Sequence, residues 1–148
     1  MTPEMRSKIL ELLAAHNNMT MATVRPDGYP QATTVGYAND GFTIYFGCGT
    51  QSQKAHNLAL NNKVSIAIDR DYENWNEIKG LSLGGTATPV TDPQEIEKVG
   101  ALMFAKFPQA RDFGPDVQHA MALYRVEPSV ISVLDYTQGF GHTDLVTV

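Results

Sequence analysis

A small antiparallel β-barrel with peripheral helices is the fold class this sequence predicts, and three observations predict it. Six segments between residues 19 and 136 alternate in polarity or run rich in β-branched and aromatic residues. Several of them are joined by tight turns of Pro, Asp, Asn and Gly, which connect antiparallel neighbours. Only a few helical patterns interrupt them, too few for the crossovers of a doubly wound parallel sheet. With 148 residues the chain reads as one domain, residues 1–148, and no linker or internal repeat divides it.

The elements follow in order. Thr2-Pro3-Glu4 opens a helix with a capping hydroxyl, a proline in the first turn and an acid near the positive dipole end. Met5, Ile9, Leu12 and Leu13 recur at helical spacing, and the helix is expected to end near His16, before Asn17-Asn18. "MTMATVR" (19–25) is the first strand, "PDGY" a turn and "PQATTVGYA" (30–38) the returning strand. "NDG" turns the chain again into "FTIYFGC" (42–48), so the first half reads as a helix followed by a three-strand meander. A short helix from Ser52 to about Asn61 comes next, with Ala55, Leu58 and Ala59 as its apolar stripe. "KVSIAID" (63–69) is the fourth strand, and a polar loop holding Trp75 and Tyr72 leads to "IKGLSLGGTATPV" (78–90). Gly84-Gly85 inside that fifth strand predicts a bulge or a close backbone approach. Asp92-Pro93 opens a long helix with Ile96, Val99, Leu102, Met103 and Phe107 on one side. A loop follows, then the sixth strand, "MALYRVEPSVISVLDY" (121–136), bent at Pro128, and "TQGFGHTDLVTV" as a tail.

Composition narrows the function classes. The formal charge is −5 and there is no basic run, so nothing marks a nucleic-acid surface. No stretch approaches the apolar length of a membrane span. The single cysteine, Cys48, forms no internal disulfide, and the first residues carry Glu4, Arg6, Lys8 and Glu11 where a secretory signal would be apolar. The expected location is therefore cytoplasmic. None of His16, His56, His119 and His142 pairs with Cys, Asp or Glu at a metal-ligand spacing, so no metal site is expected. Cys48 reads as a small buried hydrophobe, and no carboxylate pair marks acid–base catalysis, so no catalytic residue is assigned.

The stretch "TQSQKAHNLALNN" (50–62) carries the most chemistry. It places two hydroxyls, two amides and a lysine at the mouth of a helix just past a strand. A helix N-terminus has unpaired N–H groups and the positive dipole end, and both favour an anion. Ser52 and Lys54, with Thr50 and Gln53 as further donors, are thus either a phosphate cradle or a plain N-cap beside a solvated lysine. The local pattern leaves both open.

The order of segments resembles the pyridoxamine 5'-phosphate oxidase-like family of FMN-binding split barrels. "TVRPDGYPQATTVGYANDGFTIYF" is similar to its first three strands, "SQKAHNL" to its Ser-x-Lys-Ala-x-x-Leu helix start, and "NNKVSIAID" to the strand that follows. "GTATPVTDPQEIEKVGALMFAKFP" is similar to its later strand and long helix. The resemblance implies a Greek-key-type split barrel, a homodimer with FMN at the subunit interface, and an oxidoreductase acting through the flavin on an unidentified small substrate. It implies that Ser52 and Lys54 hold the phosphate, with Gln53 where family members often carry arginine. It implies that Gln31, Thr33, Thr34 and Val35 run beside the flavin ring, and that Tyr45, Phe46 and Gly47 lie near the ring and ribityl chain. The chain ends in "YTQGFGHTDLVTV" instead of the Trp and Arg pattern that binds substrate in the true oxidases, so pyridoxamine phosphate oxidation itself is not implied. Within the same fold the alternatives are the deazaflavin F420, which calls for more basic residues than this chain has, and haem, for which His142 or His119 would be the iron ligand. A flavin-binding or sensory module without turnover is a further alternative. Trp75 and His142 are left between contacts to a flat ligand and roles in an interface.

Overall fold

The predicted helix opening forms α1 (Pro3–Ala15) in the computed structural model, which describes residues 1–148. Thr2 Oγ1 accepts from Met5 N at 3.1 Å, and Ile9, Leu12 and Leu13 bury one face. The hairpin β1 (Asn18–Val24) and β2 (Pro30–Gly36) follows, turning through Gly28 at φ 87°, a conformation that suits glycine. Then come β3 (Ala38–Asp40), β4 (Thr43–Gly49), α2 (Gln53–Leu60), β5 (Lys63–Ile68) and β6 (Lys79–Pro89). The remainder is α3 (Pro93–Lys106), α4 (Pro115–His119), β7 (Met121–Asp135) and β8 (Thr143–Thr147). No helix is long and apolar enough to cross a membrane.

All eight strands join one antiparallel sheet in the order β2-β1-β5-β6-β7-β4-β3, with β8 beside β7. Two differences from the sequence reading matter. The expected meander forms with a break in its middle strand: the returning strand, read as 30–38, runs on to Asp40 and bends at Tyr37, its first part pairing with β1 and its second with β4. The two ends of the strand path, β2 and β3, are therefore separated in the chain by Tyr37 alone, and the sheet curls on itself. Tyr37 is fully buried, and its hydroxyl donates to Leu13 O at 2.7 Å, which fixes the bend against the end of α1. The expected tail is also structured. Residues 143–147 pair with β7 from Thr143↔Leu134 to Thr147↔Val130, and the segment 108–116, read as loop, enters a 3-10 turn and the start of α4. The expected six strands become eight for these two reasons.

The bulge at Gly84/Gly85 is present. The β6–β7 register shifts there, passing from Val130 opposite Gly84 to Pro128 opposite Gly85. A Cβ on Gly85 would stand 2.6 Å from Glu127 O, so only glycine allows this approach.

The main core fills the curl with Met19, Met21, Ile44, Phe46, Ile66, Ile68, Leu83, Val126, Ile131 and Val133, each almost completely buried. A second, smaller cluster lies on the other face of β4, where Tyr45 packs with Val90 and Val99 under α3. Tyr45 and Phe46 thus serve opposite faces of one strand, as period-two alternation requires.

Candidate functional site

The curl leaves a seam. β2 pairs with β1 alone, so the backbone groups on its other edge have no strand partner. That edge lies near β4, whose pairing with β3 ends at Tyr45↔Ala38. Beyond that point β4 runs on through Phe46 to Gly49 without a pair on the β2 side, and α2 begins just past its end.

The mouth of α2 combines a cap with free donors. Ser52 Oγ accepts from Ala55 N at 3.1 Å and donates to Gly49 O at 2.7 Å, so its hydroxyl is committed to holding the helix start. His56 N bonds Ser52 O, whereas the N–H groups of Gln53 and Lys54 have no backbone partner. Lys54 makes no ion pair with any acid. Its ammonium stands 5.9 Å from the centre of the Phe46 ring, and burial pushes its pKa below the ordinary lysine value, with Cys48 acting in the opposite direction. One end of the seam therefore holds a half-buried, unpaired cation and two unused N–H donors, the arrangement an anion needs.

The inner face of β2 carries Gln31, Thr33 and Val35, and Thr34 points out to solvent. Val35 packs on the core. Thr33 Oγ1 is buried and has no hydrogen-bond partner, which is costly for a hydroxyl unless something else meets it. Gln31 belongs to a network centred on Asn57, which is fully buried on α2. Asn57 Nδ2 donates to Thr23 Oγ1 at 2.9 Å and to Gln31 Oε1 at 3.1 Å, and Asn57 Oδ1 accepts from Gln53 Nε2 at 2.8 Å.

The structure therefore brings Gln31, Thr33, Phe46, Ser52, Gln53 and Lys54 to the two banks of one seam. It does not bring Tyr45 and Gly47 there by their side-chain faces. Tyr45 sits under α3, and its hydroxyl donates to Glu95 Oε2 at 3.4 Å. A Cβ at Gly47 would meet Leu123 and Met121 of the same chain at 3.3 Å, so that face is covered from within. Phe46 is itself in the core, stacked on Tyr124 with ring centres 5.2 Å apart. Sequence reasoning missed Asn57 and Thr23. The signal was present in the four-residue spacing of Gln53 and Asn57, with Asn57 lying beside Ala55 and Leu58 on the buried face.

Trp75 and Phe140 form a second feature, well away from α2. They are 66% and 69% exposed, stack with ring centres 6.2 Å apart, and have Tyr136 edge-on to Phe140 at 5.3 Å. Phe140 is presented between Gly139 and Gly141, both at positive φ. The loop is anchored by buried Asp135, which takes hydrogen bonds from Lys8, Thr137 and Gln138. Beyond it His142 Nε2 lies 3.0 Å from Asp144 Oδ2.

The family model described as pyridoxamine 5'-phosphate oxidase matches residues 5–134. A pyridoxine/pyridoxamine 5'-phosphate oxidase of Rhodopseudomonas palustris is 37% identical over 82 residues, 53% of this chain and 35% of that one. The enzyme of the same name from Bradyrhizobium diazoefficiens is 34% identical over the same coverage. The match thus spans about a third of the length of these curated relatives. Among solved structures, a haem-binding protein of Mycobacterium smegmatis superposes with a TM-score of 0.82 at 19% identity, covering 99% of this chain and 59% of that one. A conserved hypothetical protein of Mycobacterium tuberculosis gives 0.80 at 23%, covering 97% and 91%. The haem storage protein HutZ of Vibrio cholerae gives 0.72 at 21%, covering 95% and 92%.

Proposed function

Because the chain belongs to the pyridoxamine 5'-phosphate oxidase family, we propose that it is an FMN-binding flavoprotein, an oxidoreductase for a small substrate. The observation that carries this reading is the seam itself. An unpaired Lys54 ammonium and the free N–H groups of Gln53 and Lys54 stand at one end, and the orphaned Thr33 hydroxyl lies along β2. These residues fit the cofactor: the cationic end suits a phosphate, and the unpaired edge of β2 suits a flat heterocycle with polar atoms on its rim.

In this reading Lys54 and the first N–H groups of α2 hold the phosphate. Ser52 contributes by keeping the helix mouth in place, because its own proton is already given to Gly49 O. Gln53 supplies no charge, so the phosphate rests on one lysine and the helix end. Gln31, Thr33 and the backbone of β2 orient the ring, with Val35 closing the apolar side and Thr34 contributing through its main chain. The bound flavin supplies hydride or electron transfer, and the protein supplies position and electrostatics. The seam is open along β2, and in this reading a second copy of the chain covers it in a homodimer.

The absorption spectrum of the purified protein with and without added FMN tests this. A bound-flavin spectrum is expected, and Lys54→Ala should weaken binding by about 10- to 100-fold, the worth of one charge-assisted hydrogen bond. A protein that takes up no flavin refutes the reading. Anaerobic bleaching by NADH or NADPH then distinguishes a reductase from a module that only holds flavin, and light scattering should give the mass of two chains.

Haem is the second reading. Two of the structural neighbours named above are haem-binding or haem-storage proteins, and His142 is half-buried with its Nε2 3.0 Å from Asp144 Oδ2, a contact that orients the ring and leaves Nδ1 for a metal. A Soret band that His142→Ala abolishes would favour it over FMN.

A further inference from the structure

We propose that Asn57 is a positioning residue that sets which end of the Gln31 side chain faces the seam, and so makes β2 a donor edge that selects ligands offering acceptors. This rests on the flavin reading for the identity of the ligand, but the device itself is in the chain.

The argument begins with counting donors. A side-chain amide has one acceptor oxygen and two N–H donors, and a buried one must match both. Asn57 is fully buried and spends all of them: its oxygen on Gln53 Nε2, its two N–H groups on Thr23 Oγ1 and Gln31 Oε1. The Gln31 oxygen is thereby turned inward, which leaves the Gln31 N–H groups facing away from Asn57. The same chain of bonds turns Gln53 the other way, nitrogen inward and carbonyl outward.

Gln31 and Thr33 share one face of β2, about 7 Å apart along the strand. The Thr33 hydroxyl is buried with no partner. With Gln31 oriented by Asn57, the strand presents an amide N–H and a hydroxyl side by side. Both can donate, and the Gln31 N–H can do nothing else. A ligand rim with acceptors at this spacing is matched, and one that offers only donors is refused, since it would leave the N–H groups unpaired. Without Asn57 a Gln31 side chain could present either end.

Two variants separate this from a role in folding alone. Asn57→Asp keeps the shape but removes both N–H donors, so Gln31 must turn its nitrogen inward. Gln31→Glu leaves Asn57 its acceptor, removes the outward donor and adds a carboxylate charge in its place. Side-chain amide NMR of the ¹⁵N-labelled, FMN-free protein reads the orientation directly. In the wild type the Gln31 Nε2 protons should exchange fast, and in Asn57→Asp one of them should shift downfield and become protected. With FMN, Gln31→Glu should lose at least tenfold in affinity. Asn57→Asp should cost at least tenfold more in the wild-type background than in Gln31→Ala. Protected Gln31 Nε2 protons in the wild type overturn the orientation. Equal losses in both backgrounds overturn the action through Gln31 while the flavin reading stands. A wild type with the expected NMR pattern that takes up no FMN overturns the flavin reading, and with it Asn57 as a positioning residue for that ligand.

Discussion

Lys106 is the residue that the rest of the structure serves least well. Its ammonium is buried without a hydrogen-bond acceptor and lies 3.7 Å from the centre of the Tyr37 ring, a contact that only partly replaces water. Burial lowers its pKa from the ordinary 10.5 to about 8. The unfolded chain therefore binds more protons than the folded one between about pH 8 and 10.5, and stability rises with pH across that window. Lys106→Met should raise the melting temperature at pH 7 and flatten this rise, as thermal melts across the range would show. Asp135 behaves in the opposite sense. Burial alone would raise its pKa, but hydrogen bonds from Lys8, Thr137 and Gln138, with the lysine charge, hold it well below the carboxylate range. Its contribution is present at neutral pH and is lost as the pH falls below about 4. Asp135→Asn should unfold more easily at pH 7 and lose less of its remaining stability on acidification. At this scale the sequence revealed Ser52 as the cap of α2, because a helix mouth follows local rules. It hid Asn57, whose partners Thr23 and Gln31 lie 34 and 26 residues away, where no local pattern reaches.

Among the elements, β6 and β7 depend on one glycine. Gly85→Ala would place a methyl 2.6 Å from Glu127 O, a backbone atom that cannot step aside alone. We expect a loss of about 1–3 kcal/mol in denaturant unfolding, whereas Gly100→Ala, mid-helix with nothing within 4 Å, should stabilise by up to about 1 kcal/mol. The bulge was legible because Gly-Gly within an apolar strand has few other uses. The path of segment 30–40 was not, because turn chemistry tells that two strands are hairpin partners but not where a long strand leaves one neighbour for another. That change is made at Tyr37, by burial of its ring and its bond to Leu13 O, and both depend on α1 being docked. β8 was missed for a related reason. Its alternation covers five residues and leaves Leu145 72% exposed, so it owes its order to the pairing with β7 and not to its own pattern.

At the scale of the whole molecule the fold class, a barrel, was legible and the place where its strand path breaks was not, since that is set by long-range packing. If FMN occupies the seam, mass action requires that it stabilise the entire chain: at a free concentration one hundred times its Kd the gain is about 2.7 kcal/mol. A melting temperature that climbs with FMN in the wild type and far less in Lys54→Ala is the expected result. The way the sheet closes has a mechanical consequence as well. β2 and β4 are joined at one end through Tyr37 and β3, and toward the other a hydrogen bond from Asn57 Nδ2 on α2, the helix that follows β4, to Gln31 Oε1 bridges to β2. The gap between them is thus a wedge with a fixed apex and a latched mouth. Widening by a pivot about Tyr37 would break that hydrogen bond. An occupant that needs more width than the seam offers would strain that one contact, while the paired strands opposite keep their register.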